Sequence, residues 1–417
     1  MITKEQKRIL SISSLGGLLE FYDFIIYALL AGYISTIFFP NATPLNALLA
    51  TFGTYAVGYF ARPFGGIIFG HYGDKYGRKK TFAVSVLIMA CATLGIGLIP
   101  SYESIGIWAP ILLLVFRLLQ GFSIGGEIPG AITYVSESMP EQRGFGTGII
   151  FCFLLCGLVL GYIVEALLLT IFSHQQILDW AWRLPFFLGG FFGLIAYQLR
   201  KKLAEISRFA PFITGEAKTP LTYVVKNHWR EVIVATLLTS FGATVIVIFF
   251  LFLPAYLGKI LRYSIEGFAW TSSIAMFAAA LLCVVFGRAS DKGGRIKILF
   301  ITVVLLLIFT MPIIRAYIHH IENYHFAIFI RALLLGFVWG NIPAILSELF
   351  PQKVRYSGIG LAYNLGFAVF GGLTPLIALT LIKYTGHVQA PGYIVITASL
   401  VCLLCLLFLP KLMIHKD

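Results

Sequence analysis

Charge is what this chain has least of. Of its 417 residues, 12% are Asp, Glu, Lys or Arg, against 59% hydrophobic. A soluble domain carries about 25% charged residues, so this chain cannot cover a water-facing surface, and lipid must be its solvent. No polar stretch is long enough for a separate soluble domain, which leaves little room for a soluble enzyme. No Gly-x4-Gly-Lys-Ser/Thr loop is present to cradle a phosphate, so nucleotide hydrolysis is not the expected energy source. No His pair or Cys cluster has metal-ligand spacing, and His319-His320 falls in a loop. Neither a metal nor a cofactor is expected. The six cysteines (Cys91, Cys152, Cys156, Cys283, Cys402, Cys405) all lie in apolar runs, and Cys402-Leu-Leu-Cys405 lacks the flanking structure of a zinc or redox site.

What is present are long apolar runs of about 20 residues or more without strict alternation. In lipid every backbone group needs an internal partner, which leaves helices or a closed barrel, and the lack of alternation favours helices. Twelve spans are expected, roughly 10–38, 46–70, 81–100, 108–135, 145–171, 184–200, 231–257, 265–287, 298–316, 325–346, 357–382 and 391–410. The basic segment at 201–230 reads as a linker, giving an N-terminal bundle at 1–200 and a C-terminal bundle at 231–417. The first span holds Glu20 and Asp23 and no cleavage signal, so it reads as retained.

The net charge of +13 is one-sided in placement. Of 31 Lys and Arg, 23 fall in the tails and alternate loops, five in or beside the opposite loops, and three (Arg62, Arg117, Arg331) inside spans. By the positive-inside rule both termini are cytoplasmic. The charge orients the chain and meets anionic lipid. Nucleic acid is not an expected partner.

The chain also repeats itself. Gly70-His-Tyr-Gly-Asp74-Lys75-Tyr-Gly77-Arg78-Lys79 recurs as Gly287-Arg-Ala-Ser-Asp291-Lys292-Gly-Gly294-Arg295-Ile, shifted by 217 residues. A similar shift relates Arg117…Glu127-Ile-Pro129 to Arg331…Asn341-Ile-Pro343, and Glu137…Pro140…Arg143 to Glu348…Pro351…Arg355. A membrane protein of two parallel halves places a substrate path at the seam between them.

The repeated basic turn resembles the loop signature of the major facilitator superfamily. Glu20-Phe-Tyr-Asp23-Phe, Arg62-Pro63-Phe-Gly65-Gly66, the run from Gly97 to Leu114, Arg117-Leu-Leu-Gln120-Gly-Phe-Ser-Ile-Gly-Gly-Glu127, Trp182-Arg183-Leu-Pro-Phe-Phe and Glu348-Leu-Phe-Pro351-Gln-Lys-Val-Arg355-Tyr-Ser-Gly358 are similar to its metabolite:proton symporter family. The resemblance implies an all-α membrane fold of twelve helices in two six-helix bundles. It also implies a monomer in the inner membrane that moves an osmolyte, amino acid or carboxylate with a proton by alternating access, driven by the proton gradient. The alternatives are an uncoupled facilitator or exporter, or a solute receptor that does not transport. Two departures stand out. Osmosensing members carry a long helical tail after the last span and this chain stops at Asp417, so osmotic gating is not expected. Ile128-Pro129 follows Glu127 where the family usually has an aromatic, and the proline is expected to reshape the inner end of that span.

Charges within spans cost about 3 kcal/mol or more, so each one asks for a role. Glu20 and Asp23 share one helix face. Burial disfavours a carboxylate and a nearby guanidinium favours it, so Asp23 either exchanges a proton as the site opens to each side or pairs permanently with Arg62. Glu20 and Glu127 are further proton-coupling candidates. With Glu165 they put every in-span acid in the first half, so only that half is expected to handle protons. Arg117 and its repeat mate Arg331 have planar forks suited to a carboxylate of substrate or of another helix. Arg62, Tyr22, Tyr27, Trp339, Asn341, Tyr363 and Asn364 complete the candidate substrate site, where aromatic faces would suit a methylated ammonium. Asp74, Arg78, Asp291 and Arg295, with Glu137, Arg143, Glu348 and Arg355, are expected to cap helix ends and hold a cytoplasmic gate shut through ion pairs.

Overall fold

The computed structural model describes residues 4–76, 78–202, 220–263, 266–319 and 324–413, with the backbone alone at 4–13, 15–16, 20, 70–76, 78–83, 199–202, 220, 266 and 324–325. Every regular element among them is helical. The first half contains α1 (Lys4–Leu29), α2 (Ala31–Phe38), α3 (Pro44–Tyr76), α4 (Arg78–Leu98), the short α5 (Tyr102–Ile105), α6 (Trp108–Ile124), α7 (Glu127–Ser138), α8 (Arg143–Ile171), the short α9 (His174–Asp179) and α10 (Leu184–Lys202). The second contains α11 (Pro220–Asn227), α12 (Trp229–Ile246), α13 (Leu253–Ala255), α14 (Glu266–Gly293), α15 (Arg295–His319), α16 (Tyr324–Leu349), α17 (Arg355–Gly366), α18 (Gly372–Thr385) and α19 (Ala390–Leu412).

Among the described residues eight helical stretches are long and apolar enough to cross a membrane, or nine if α1 and α2 form one bent span. Their outer faces are apolar: Ile274, Phe277, Leu404 and Leu407 are each at least half exposed. Such a belt is stable only against lipid, and the chain is an integral membrane protein.

Several expected spans are interrupted. α1 and α2 meet at Leu30 with a 59° bend. The run at 108–135 breaks at Gly125-Gly126, just ahead of Glu127 and Pro129. Wider π-helical turns occupy Val247–Phe252 and Tyr256–Ile260 on either side of α13, and Phe367–Gly371 ahead of Pro375. Proline explains two of these segments. Pro254 and Pro375 have no N–H, and their rings crowd the carbonyls four residues back, those of Phe250 and Gly371. The segment at 201–230 is partly structured, since α11 lies within it.

Packing follows the repeat. α3 packs on α18 and α14 packs on α8. α3 and α14 end at the two copies of the basic turn, and α8 and α17–α18 follow the two Glu…Pro…Arg segments. The cross-half contacts are therefore related as mates. Small residues make these approaches possible. Within the first half, a Cβ at Gly121 of α6 would overlap the Gly58 carbonyl of α3, and across the seam one at Gly287 of α14 would overlap the Gly144 carbonyl of α8.

Gly121→Ala is expected to lower stability by about 1–3 kcal/mol through overpacking, read as a lower thermal midpoint of the purified protein. Gly53→Ala, where a Cβ meets nothing within 4 Å, is expected to be neutral or stabilising because alanine favours the helix.

Candidate functional site

On α3, Tyr55, Tyr59 and Arg62 follow at i, i+4 and i+7, so they form one stripe. The stripe faces Phe24 and Tyr27 of α1 and Arg117 of α6. The Phe24 ring is shared by two cations: its centroid lies 4.2 Å from the Arg62 guanidinium carbon and 4.4 Å from that of Arg117. Arg62 also lies 4.2 Å from the Tyr59 ring and 5.6 Å from Phe367, and Arg117 lies 4.4 Å from Tyr27 and 5.4 Å from Tyr55. Both arginines are no more than 1% exposed.

The polar partners are few. Arg117 Nη1 donates to Gln120 Oε1 at 2.8 Å and to the Phe24 carbonyl at 3.4 Å. Gln120 Nε2 donates to Thr93 Oγ1 at 2.8 Å. The Tyr27 hydroxyl donates to the Thr51 carbonyl at 3.1 Å and shares a hydrogen bond with Thr54 Oγ1. Arg62 Nε and Arg117 Nε and Nη2 find no acceptor among the described residues. Burying such donors costs several kcal/mol unless they are used, and cation–π contacts return only about 2 kcal/mol each when desolvated. The arrangement is thus poised to take an anionic group.

The second half completes the wall. Phe367 stacks on Tyr59 with centroids 6.0 Å apart, and Tyr363 and Trp339 lie 4.8 Å and 5.7 Å from Phe367. Trp339 in turn stacks on Phe151 of α8 at 4.9 Å. Of the expected substrate-site residues, Arg62, Arg117, Tyr27, Trp339 and Tyr363 therefore meet at the seam between halves. Asn364 also lies on the seam, donating to the Gly125 carbonyl at 2.6 Å, at the break between α6 and α7.

Other candidates stand apart. Tyr22 donates to the Pro185 carbonyl at 2.9 Å and packs on Phe192 of α10, inside the first half. Asn341 donates to the Arg295 carbonyl at 2.8 Å and so belongs with the charged end of the molecule. Arg331 forms its own site: it donates to the Phe249 carbonyl and, at 2.7 Å, to Ser272 Oγ, with Phe250, Phe268 and Tyr317 rings around it. Asp23 is buried in α1 and faces the Gly189–Gly193 face of α10, with Thr93 beside it. Its Oδ1 has no donor, and it makes no ion pair with Arg62 among the described residues. Glu127 opens α7, half-buried. Glu165 is buried in α8 with Oε2 unpartnered. The side chains of Glu20, Asp74 and Arg78 lie outside the described residues.

At the charged end the second copy of the turn forms a network across the seam. Asp291 accepts from the backbone N–H groups of Gly144 and Phe145 at 2.8 Å and 2.9 Å, the start of α8. Arg295 pairs with Asp291 and Glu348, both at 2.9 Å, and Arg143 lies 4.0 Å from Glu348. Arg355 pairs with Glu137 at 3.2 Å and donates to the Ser347 carbonyl at 2.8 Å. A carboxylate capping a helix N-terminus is favoured by both the free N–H groups and the helix dipole.

Phe24, Tyr55, Tyr59 and Phe367 carry no mark of their own in the sequence. In a chain that is 15% aromatic no ring stands out, but the Tyr-x3-Tyr-x2-Arg spacing on α3 was the available signal.

A family profile described as Major Facilitator Superfamily matches residues 13–369. This chain belongs to the major facilitator superfamily. The proline/betaine transporter of Escherichia coli (strain K12) is 33% identical over 416 residues, covering 95% of this chain and 82% of that one. A structure of the proton:xylose symporter XylE bound to 6-bromo-6-deoxy-D-glucose superposes with a TM-score of 0.75 at 17% identity, covering 99% of this chain and 97% of that one. A partially occluded inward-open XylE structure from E. coli gives 0.75 at 16% identity, covering 98% of each chain. Within this superfamily the chain is a transporter and not an enzyme.

Asp291→Asn removes a charge that three donors share. A hydrogen bond to a charged group contributes about 1.5–3 kcal/mol, so the closed charged end is expected to lose tenfold or more in population. Spin labels at the exposed Gln142 and Lys353 read this as a growing long-distance population, and an unchanged distribution would count against the gate.

Proposed function

We propose that this transporter moves a small metabolite bearing a carboxylate, with an osmolyte zwitterion such as proline or betaine the best fit, together with a proton and by alternating access. The observation that carries the reading is the Arg62–Arg117 pair, with unused donors, inside an aromatic cage to which both halves contribute. A carboxylate would take the guanidinium N–H groups in a bidentate fork. A substrate ammonium would rest on the faces of Tyr59, Phe367 or Trp339. The name of the E. coli relative fits this chemistry, as does the proton coupling named for XylE.

The proton is assigned to Asp23. It is buried, has no cationic partner among the described residues, and its neighbour Phe24 supplies the carbonyl that Arg117 contacts. Thr93 and Gln120 link Arg117 to the helix face that Asp23 occupies. Protonated Asp23 needs no counter-ion, and the anionic form would draw Arg117 towards it and away from a substrate carboxylate. That competition couples the two ligands. Asp291, Arg295, Glu348, Arg143, Glu137 and Arg355 form the cytoplasmic gate, with Asp74 and Arg78 proposed members by the sequence repeat alone.

The supporting architecture is twelve membrane-spanning helices in two bundles: α1–α2, α3, α4, α6–α7, α8 and α10, then α12–α13, α14, α15, α16, α17–α18 and α19. The charged end faces the cytoplasm, which follows from the lysine and arginine bias.

In proteoliposomes, uptake of labelled proline, betaine or a dicarboxylate is expected to carry protons inward, seen with a lumenal pH dye, and accumulation is expected to collapse with a protonophore. Asp23→Asn is expected to retain solute exchange but lose gradient-driven accumulation. Arg117→Lys is expected to raise KM about tenfold or more, since the fork is lost. Uptake without proton movement would establish the uncoupled facilitator instead. Full acidification by both Asp23→Asn and Glu127→Gln would end the assignment of protons to the first half.

A further inference from the structure

At the charged end of the molecule, away from the seam, a cleft of about 310 Å³ opens between the start of α12 and the end of α19. It is lined by Asn227, Trp229, Arg230, Glu231, Lys411 and Leu412. Two cations from helices far apart in sequence converge on it, and neither is in an ion pair among the described residues. Its one acid, Glu231, has Oε1 3.5 Å from His228 Nδ1. Asn227 Nδ2 donates to the Tyr223 carbonyl at 3.0 Å. The recess therefore holds two cations against one carboxylate, with a neutral amide and an indole at its rim.

Its surroundings are apolar in one direction only. Along α19, Leu400, Leu404 and Leu407, which are 48–69% exposed, lead to Lys411 at helical spacing. Along α12, Ile233 follows Trp229 by one turn, and both are about half exposed. α11 adds exposed Tyr223 and Val225 beside the recess. A tryptophan at the rim, basic groups at the mouth and aliphatic stripes running away from it reproduce the polarity profile of one leaflet: headgroup, interface, acyl chain.

We infer that this cleft binds an anionic phospholipid, its phosphate between Arg230 and Lys411 and one acyl chain along Leu404, Leu407 and Ile233. The charge complementarity selects an anionic headgroup, and the two aliphatic stripes select a lipid over a free phosphate. The occupant would tie α12, the first helix after the linker, to α19, the last helix, so it would bear on the second half alone. Each cation near an anionic leaflet contributes enough to change affinity about fivefold, so removing both is expected to weaken binding about 25-fold.

Native mass spectrometry of the full-length protein tests this, with the protein purified in mild detergent and supplied with phosphatidylglycerol or phosphatidylcholine of matched chains, or with inorganic phosphate. The expected result is retention of one phosphatidylglycerol in preference to phosphatidylcholine, no retained phosphate, and loss of that preference in Arg230→Gln/Lys411→Gln. If the double variant does not purify, Lys411→Gln alone, in the exposed last turn of the final helix, is expected to lose about fivefold. Equal retention of the two lipids, retention of phosphate alone, or a variant that keeps the wild-type preference would each overturn the inference.

Discussion

A guanidinium cannot be deprotonated within a protein, so each arginine placed inside a membrane span must find a way to remain charged there. Three do so here, and among the described residues none is ion-paired. Arg62 and Arg117 rest on a shared Phe24 ring and on tyrosines, and Arg331 rests on Phe250, Phe268 and Tyr317. Aromatic faces repay part of the desolvation cost without neutralising the charge. A carboxylate partner would have satisfied the cations more fully and would have left nothing for a ligand. The cage at the seam reads as a compromise: stable enough to fold, with donors still unspent.

The same need explains where the helices are irregular. A regular α-helix spends every interior carbonyl on its own backbone. Pro254 cannot donate to the Phe250 carbonyl, which instead accepts the Tyr162 hydroxyl of α8 at 2.5 Å. One residue earlier, the Phe249 carbonyl accepts Arg331. The wide turn at Val247–Phe252 thus offers two backbone acceptors to two other helices, one of them from the opposite half. The break at Gly125-Gly126 does the same for Asn364, which reaches the Gly125 carbonyl from α17. Irregular backbone at membrane depth is tolerated where protein buries it, and here it lies where the halves meet.

Much of this was legible in the sequence. Apolar runs mark the helices because lipid enforces them, and the second basic turn marks the charged network, where Asp291 and Arg295 pair. Arg62, Arg117, Tyr27, Trp339 and Tyr363, candidates from the sequence, lie close together at the seam. What was not legible depends on helix rotation, which periodicity cannot supply when a helix is apolar all round. Tyr22 and Tyr27 illustrate it: five residues apart on α1, one turns to α10 and the other to Arg117. Asn341 was misplaced for a different reason. Grouped with the substrate candidates, it lies ten residues beyond Arg331, about 15 Å along α16, and meets the Arg295 carbonyl.

The two ends of the seam are closed by different forces, and the difference constrains how such a molecule works. At the charged end the halves are joined by partly buried ion pairs and by Asp291 capping α8. These contacts are directional and lose most of their strength within a small displacement. At the opposite end the contacts are apolar and aromatic, with Phe52 against Phe252 at 5.6 Å, supplemented by exposed hydrogen bonds from Lys259 to Thr36 and Lys383 to Asn46. Those contacts weaken gradually as surfaces slide, and water or lipid replaces the exposed ones at little cost. Closure at the charged end is therefore switch-like and closure at the other end graded. A displacement that separates the halves at the charged end needs only a few kcal/mol to break that network, since the apolar side can yield without a matching threshold.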